Sequence, residues 1–543
     1  MRIALAQIDS HLGHFKGNCS KIIEYAKRAK ALNSDVVVFP EASLFGYHPM
    51  DLLERESVVR AQLKYINEIH KKIPSGILVI FGAFTKNLSN KGKPYFNSAI
   101  ALERSKKSWV CHKTLLPTYD VFDDARHIEP GDVSKNILSY KGKKILVTIC
   151  EDIWAWADNG RKKETQYVKN PLKKIKRRSV DLVLNLSASP FFQNKMKHRK
   201  FVVSSTAKYF SAPMVYVNMV GGQDELIFDG SSFAIDKNGK IIAQNASFAE
   251  DLNIVDFFNQ QKYKKKRNPP LLKVEKIRQA LVLGIRDFVL KAAQESVHLG
   301  LSGGIDSAIV ACLAVDALGV ERVKAYAMPG PFSTDISLAL AQELSQNLGV
   351  QCSEIPITGL YKQVIELVEK KIGVTHFGVM HENIQARLRS LILMAISNRN
   401  KSMLLNTSNK SELAAGYSTL YGDLAGGLAP IGDLLKRDIQ ALAKHYNKDR
   451  ILIPEQIILR APSAELRTNQ KDQDTLPPYD DLDDSVVRLV EHMATPRTDV
   501  DKYLLKALMA SEFKRWQAPP ILKVSEHSFG QGRRMPIAHS GWY

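Results

Sequence analysis

The stretch from Leu299 to Ala308, L-G-L-S-G-G-I-D-S-A, joins an apolar approach to paired glycines, two hydroxyls and one carboxylate, and a helix-like run from Ile309 to Leu318 follows at once. This layout suits a phosphate-holding loop. Gly303 and Gly304 reach backbone conformations closed to most residues, Ser302 and Ser307 offer hydroxyls, and free N–H groups at the start of the next helix attract anions. Asp306 would repel phosphate unless a cation lies between them, so a Mg2+ bridging Asp306 to a triphosphate is the simplest reading. No Gly-Lys-Ser/Thr follows the glycines, which excludes the Walker A loop. Taken bare, the turn also fits a structural strand-to-helix connection.

A second set is dispersed. Glu41 follows V-V-V-F-P, Lys113 sits in C-H-K-T-L-L-P-T-Y, and Cys150 ends V-T-I-C before E-D. Each has an ordinary explanation alone: a helix-capping carboxylate, a solvated lysine, an inert buried thiol. Together they make a workable acyl-transfer site, in which the thiolate attacks an amide carbonyl and the carboxylate passes the thiol proton to leaving ammonia. The lysine stabilises the tetrahedral oxyanion. Cys19, Cys111, Cys312 and Cys352 have no comparable setting. A third informative stretch runs from Asn406 to Pro430, where a polar turn offers Thr407 and Ser408, then Glu412 and Asp423 as acids. Thr407 to Ser411 also reads as a helix cap with Glu412 in the first turn, and Glu412 could equally be the second protein ligand of the Mg2+ at Asp306.

The elements that must position these groups are legible as periodic runs. Arg2 to Ile8, Asp35 to Pro40, Ile77 to Phe84, Ile145 to Cys150, Leu182 to Leu186 and Met214 to Val220 read as buried strands, with antiparallel-looking Phe96 to Leu102 and Ser232 to Ile235 among them. Asn18 to Leu32 reads as a helix, and alternating strands and helices imply layered α/β architecture. A polar, basic stretch closed by Pro269 and Pro270 reads as a linker, so we expect domains at 1–259 and 274–543 joined by 260–273. Beyond it, helices near Val274 to Ala293, Asp335 to Leu348 and Glu382 to Ser397 alternate with short strands at Val297 to Leu301, Val323 to Met328, Cys352 to Ile357 and Met403 to Asn406. That order predicts a doubly wound, mostly parallel sheet with ligands at the carboxyl ends of its strands. The tail beyond Pro454, rich in proline and charge, is expected to be irregular and packed around the site.

At 543 residues and 45% hydrophobic content the chain can hold more than one core. Its five scattered cysteines argue for a reducing compartment, and neither a signal peptide nor an apolar run of about 18 residues is visible, which places the protein in the cytoplasm without a membrane span. The net charge of +20 raises the question of nucleic acid. The basic runs Lys173 to Arg178 and Lys262 to Arg267 carry only Tyr263 as an aromatic, so they lack the stacking platform of a single-strand groove and read as solvated faces. Anionic nucleotide substrates account for part of the excess, and no nucleic-acid partner is expected.

The embedded S-G-G-I-D-S resembles the pyrophosphatase loop of enzymes that split ATP into AMP and pyrophosphate to adenylate a substrate. The order Glu, Lys, Cys, with F-P-E-A-S-L-F-G-Y, K-T-L-L-P-T-Y-D-V-F-D-D, I-C-E-D-I-W and V-G-G-Q-D-E-L-I-F-D-G-S-S-F, resembles the glutaminase members of the nitrilase superfamily over Met1 to Phe258. The resemblance implies an α-β-β-α sandwich, a glutamyl thioester on Cys150, and glutamine held by Tyr119, Ser189 and Lys195. Asp124 stands where a glutamate is usual, and Asn194 where a glycine is usual.

The second half, through H-E-N-I-Q-A-R-L-R, N-K-S-E-L-A-A-G-Y, Y-G-D-L-A-G-G, P-S-A-E-L-R, L-P-P-Y-D and F-K-R-W-Q-A-P-P, is similar to the NAD synthetase family, and the two halves joined are similar to its glutamine-dependent members. That resemblance implies adenylation of the nicotinate carboxylate of deamido-NAD by ATP, then attack by ammonia from glutamine to give NAD and AMP, pyrophosphate leaving in the first step. Carried to matching positions, Gly300, Leu301, Ser302, Gly303, Gly304, Ile305, Asp306, Ser307 and Thr407 would hold ATP. Asn383, Glu412 and Lys514 would hold deamido-NAD, with Asp306 and Glu412 on Mg2+. N-T-S-N, with Ser408, replaces the usual A-T-G-N, and P-G-P-F-S-T follows Met328 in place of the common serine- and tyrosine-bearing form. The family also implies an ammonia tunnel and a homo-oligomer, commonly an octamer. Two other classes fit parts of the chain: an RNA-modifying ATP-pyrophosphatase, which lacks a recognisable RNA-binding module here, and a non-catalytic nitrilase-like interaction domain, which the intact triad disfavours.

Overall fold

The computed structural model describes residues 1–89, 91–156, 167–257, 271–373 and 376–539. The chain separates into two compact units, one of Met1–Gln223 and Ile227–Pro270, the other of Asp224–Leu226 and Leu271–Tyr543. Most of the expected linker, and the basic run Lys262 to Arg267, lie outside the described residues.

In the first unit, strict alternation along apolar strands builds two layers at once. One six-stranded sheet runs in the order Asp251–Asp256, Arg2–Gln7, Val36–Val38, Leu78–Lys86, Tyr95–Leu102, Trp109–His112. The other runs Ile241–Gln244, Phe233–Ile235, Met214–Asn218, Leu182–Ser187, Lys143–Ile149, Ile137–Tyr140. Ile3, Leu5, Val36, Val38 and Ile80 of the first meet Ile145, Val147, Leu184 and Val215 of the second in one core. The residues between them point outward: Ala4, Val37 and Val79 pack on the helices Phe15–Ala31 and Glu56–Lys72, while Leu146, Val183 and Tyr216 pack on Lys195–Phe210. A period of two therefore produces the α-β-β-α sandwich. The middle strands of each sheet pair in parallel, whereas Tyr95–Leu102 and Phe233–Ile235 pair antiparallel with their neighbours, as expected.

In the second unit, four parallel strands lie in the order Gln351–Glu354, Val323–Ala327, Val297–Gly300, Met403–Leu404. The order reverses beside Val297–Gly300, so the carboxyl end of that strand opens on the crevice where such sheets bind ligands. The tail departs from expectation. Helices form at Tyr479–Val486, Asp499–Ala510 and Glu512–Arg515, and Tyr479, Leu482, Val486, Leu489, Leu504 and Leu508 join one core. Four acids among Asp480 to Asp484 obscure an apolar helical spacing, and Thr498 starts the next helix by accepting from the Asp501 N–H at 3.0 Å. Among the described residues, no helix is long and apolar enough to cross a membrane. Lys173, Lys174 and Lys176 to Arg178 are exposed, with Ile175 alone turned inward.

Candidate active sites

Three strands of the first unit deliver the dispersed set to one buried place. Glu41 follows the short Val36–Val38 strand, Lys113 follows Trp109–His112, and Cys150 follows Lys143–Ile149. All three are buried, Glu41 completely. The Glu41 turn fits only because the neighbouring strand offers Gly82. A Cβ there would stand 2.0 Å from the Ala42 nitrogen and 2.6 Å from the Glu41 carbonyl carbon. Lys113 Nζ donates to Glu41 Oε1 at 2.8 Å and to Asp124 Oδ2 at 2.7 Å. Glu41 Oε1 also accepts from Asn97 Nδ2 at 2.8 Å, and Oε2 from the Ala188 N–H at 2.9 Å.

Cys150 sits at φ +40°, a left-handed backbone that a β-carbon disfavours, and Asp152 holds the turn in place. Asp152 accepts from the Ile149 N–H at 2.9 Å and from those of Thr114 and Leu115 at 2.8 and 3.0 Å. One carboxylate thus ties the cysteine turn to the segment that follows Lys113. Burial lifts Asp152 to about 6 against three N–H donors that favour its charged form. Burial pushes the Cys150 thiol well up, Glu41 adds to the rise and Lys113 opposes it. Burial alone would lower Lys113, but Asp124 and Glu41 outweigh it and hold the ammonium charged. The arrangement suits a thiol that gives its proton to Glu41 as it attacks, beside a permanent cation.

The residues expected to hold glutamine make the following contacts. Tyr119 donates its hydroxyl to both oxygens of Glu151, each at 3.1 Å, and the Tyr167 hydroxyl reaches Glu151 Oε1 at 2.9 Å. Ser189 donates its N–H to Asn218 at 2.8 Å, and its carbonyl accepts from Arg199, which pairs with Asp229 at 2.7 Å. Lys195 Nζ lies 4.5 Å from the centre of the Trp154 ring. Both departures from the nitrilase pattern have a physical reading. Asp124 bridges Lys113 and, at 3.2 Å, the Tyr47 hydroxyl. Asn194 adopts φ +70°, a left-handed conformation that asparagine tolerates nearly as glycine does. Asn97, Glu151, Asp152, Tyr167 and Arg199 were missed as members of the site. Only the acid pair after Cys150 was visible as a motif.

In the second unit a cavity of about 330 Å³ opens at the carboxyl end of Val297–Gly300, lined by the whole Gly300 to Ser307 loop together with Thr407 and Glu412. Gly303 has φ +78°, and a Cβ there would press to 2.3 Å on the Ser337 carbonyl oxygen. Ser307 Oγ holds the loop closed, donating to the Gly304 carbonyl at 3.0 Å and accepting from the Ser302 N–H at 3.3 Å. Ile305–Leu318 begins there with no side-chain cap, which leaves its first N–H groups without an intrahelical acceptor. Asn409 caps Lys410–Ala415 by accepting from the Glu412 N–H, and its Nδ2 donates to Asp306 Oδ1 at 3.0 Å. The helix-cap reading is thus realised, with Asn409 as the cap.

Asp306 and Glu412 meet on a residue that sequence reasoning missed. Lys436 Nζ lies 2.6 Å from Asp306 Oδ2 and 3.6 Å from Glu412 Oε1. Burial and Asp306 lift Glu412 to about 8, with Lys436 opposing and Asp472 adding to the rise. Asp306 and Glu412 therefore share one buried ammonium, and Asp472 adds its negative field. Arg460 pairs with Glu465 on the same cavity wall, and Glu465 accepts from Ser337 Oγ at 2.7 Å. Asn383 and Lys514 are not on that wall. They converge on the turn after Lys410–Ala415, where Thr419 Oγ1 donates to Asn383 at 2.7 Å and Lys514 Nζ donates to the carbonyls of Gly416 and Ser418 at 2.9 and 2.7 Å. Ser408 is buried, its N–H bonded to Asn406 Oδ1 at 2.8 Å.

Comparison with known proteins agrees with both halves. Residues 2–261 match the carbon-nitrogen hydrolase family and residues 277–518 the NAD synthase family. The chain is 41% identical to the glutamine-dependent NAD(+) synthetase of Synechocystis sp., over 99% of this chain and 98% of the relative. It is 37% identical to that of Acinetobacter baylyi, over 100% and 98%. Among solved structures it is similar to a glutamine-dependent NAD+ synthetase from Acinetobacter baumannii in complex with adenosine diphosphate, at 34% identity, TM-score 0.77 and coverage of 99% and 98%. The fold is also shared with a Cytophaga hutchinsonii glutamine-dependent NAD(+) synthetase, at 21% identity, TM-score 0.82 and the same coverage.

Proposed function

Because the chain belongs to the family of glutamine-dependent NAD(+) synthetases, we propose that it converts deamido-NAD to NAD through an adenylated nicotinate. ATP supplies the adenylyl group and glutamine supplies the nitrogen. The observation that carries this reading is that one chain holds both a buried Glu41, Lys113 and Cys150 set and a glycine-loop cavity rich in carboxylates.

At the first site the Cys150 thiol gives its proton to Glu41 while sulfur attacks the glutamine side-chain carbonyl carbon. Two of the three Lys113 N–H bonds are committed to Glu41 and Asp124, and the third is left for the oxyanion. Collapse breaks the carbon–nitrogen bond, the Glu41 proton leaves with ammonia, and water, activated by Glu41, then cleaves the thioester to glutamate. Tyr119, Ser189 and Lys195 hold glutamine in this reading. At the second site a nicotinate oxygen attacks the α-phosphorus of ATP and pyrophosphate leaves. Ammonia then attacks the acyl carbon and AMP leaves, with Asn383, Glu412 and Lys514 holding deamido-NAD. The loop N–H groups, Thr407 and Lys436 stabilise phosphate charge. The donor set fits Mg2+, because Asp306, Glu412 and Asp472 outnumber the one ammonium among them. Asp306 and Glu412 would hold the ion, which when bound neutralises phosphate charge.

Five free cysteines suit a reducing, cytoplasmic setting. Leu367, Ile372, Val379 and Leu391 on Thr358–Ile372 and Val379–Asn400 are all more than half exposed, which supports a homo-oligomer; sedimentation as a monomer would refute it.

The deciding assay combines the purified chain with ATP, Mg2+, deamido-NAD and either glutamine or ammonium, and measures NAD. Both nitrogen sources should support synthesis, and Cys150→Ala should abolish only the glutamine reaction. No NAD from either source refutes the proposal.

A further inference from the structure

Asn97 lies on Tyr95–Leu102, the strand between Leu78–Lys86, which makes room for Glu41, and Trp109–His112, which ends at Lys113. Its side chain holds the Glu41 carboxylate and its backbone carbonyl holds the Lys113 backbone N–H. Nδ2 donates to Glu41 Oε1 at 2.8 Å, and the Asn97 carbonyl accepts the Lys113 N–H at 2.8 Å, continuing the ladder one residue past the strand. With the Lys113 ammonium also on it at 2.8 Å, Oε1 has two donors and both lone pairs filled. Oε2 accepts the Ala188 N–H at 2.9 Å, and the Glu41 carboxylate is also hydrogen-bonded to the Cys150 thiol. The opposite amide orientation would set an oxygen against the Glu41 carboxylate, so the charges dictate which end of the amide points there. Asn97 Oδ1 is buried with no hydrogen-bond partner among the described residues.

We propose that Asn97 is a positioning residue for glutamine hydrolysis, filling Glu41 Oε1 so that Oε2 carries the thiol proton. The inference rests on the glutaminase reading above. Glu41 faces Lys113, Cys150 and Tyr47, with Asp124 across Lys113.

The test uses the full chain and its Asn97→Ala, Asn97→Leu and Asn97→Asp variants. Glutamine hydrolysis is followed from pH 5 to pH 9, and ammonium-driven synthesis and thermal unfolding report whether each variant folds. Losing a donor to the carboxylate favours its protonated form, so the acid limb of the glutamine kcat profile should move to higher pH in Asn97→Ala and Asn97→Leu, and further in Asn97→Asp, which adds a like charge. The kcat for glutamine should fall about tenfold to a hundredfold, the worth of one hydrogen bond to a charged group, with a smaller change in KM. Ammonium-driven synthesis should be unchanged. Folded variants with an unmoved acid limb, or with wild-type kcat, overturn the inference. A wild-type chain that does not hydrolyse glutamine overturns the glutaminase reading and this inference with it.

Discussion

Gly82→Ala should disable the glutamine reaction while sparing the ammonium reaction. The added Cβ would lie 2.0 Å from the Ala42 nitrogen, 2.6 Å from the Glu41 carbonyl carbon and 2.8 Å from the Glu41 Cα. All three are backbone atoms, and van der Waals contact begins at about 3.5 Å, so the strand or the Glu41 turn must retreat by roughly an ångström. The strand is held by antiparallel pairing along Tyr95–Leu102, and Glu41 is held by Lys113, Asn97 and the Ala188 N–H. Beyond Val38 the Glu41 turn is tied to that strand by the Phe39 N–H on the Ile80 carbonyl at 2.9 Å, the Gly82 N–H on the Pro40 carbonyl at 3.2 Å and the Leu44 N–H on the Gly82 carbonyl at 3.0 Å, a shorter ladder than the one along Tyr95–Leu102, so the turn should yield first. A displacement of that size at a reacting group costs on the order of a hundredfold in rate. Overpacking should also cost the unit about 1–3 kcal/mol of stability. Glutamine-driven and ammonium-driven NAD formation would be compared at saturating substrates, with thermal unfolding as the control for folding. Glutamine-driven turnover within threefold of wild type would refute the claim that this glycine is required by the Glu41 approach.

Two further outcomes follow from buried charges. Lys436→Met removes the ammonium beside Asp306 and Glu412 and leaves the Asp306 carboxylate without its cation. NAD synthesis from either nitrogen source should fall at least about a hundredfold, with several kcal/mol of stability lost and glutamine hydrolysis intact; a variant that still makes NAD at half the wild-type rate would contradict the role given to Lys436. Asp152 is raised by burial to about 6, above the ordinary range near 4, so its protonation in the folded state adds stability that is fully present below about pH 4 and is lost as pH rises through about 6. Relative to Asp152→Asn, the wild-type chain should therefore gain up to roughly 3 kcal/mol between pH 7 and pH 4, measured by denaturant unfolding; parallel pH curves for the two would exclude that shift.

Much of the chemistry was legible before any fold was known, because strand ends and reactive residue types are local properties. Glu41, Lys113 and Cys150 each follow an apolar run, and the glycine-rich loop meets a helix at once. The tail was misread for an equally local reason: acids between Tyr479 and Val486 hide a helical stripe that becomes visible only when Leu482 and Leu489 are seen in the core with Leu504 and Leu508. The linker remains an expectation, since most of it lies outside the described residues.

Sequence alone determined which residues could react and which runs would be strands, because alternation and residue chemistry are written in the order of the chain. Tertiary structure alone decided their partners. Asn97 reaches Glu41 across 56 positions, Asp152 reaches Thr114 across 38, and Lys436 reaches Asp306 across 130. None of these pairings carries a local signature, because a buried charge selects its counterpart through packing and register, which exist only once the sheets have closed.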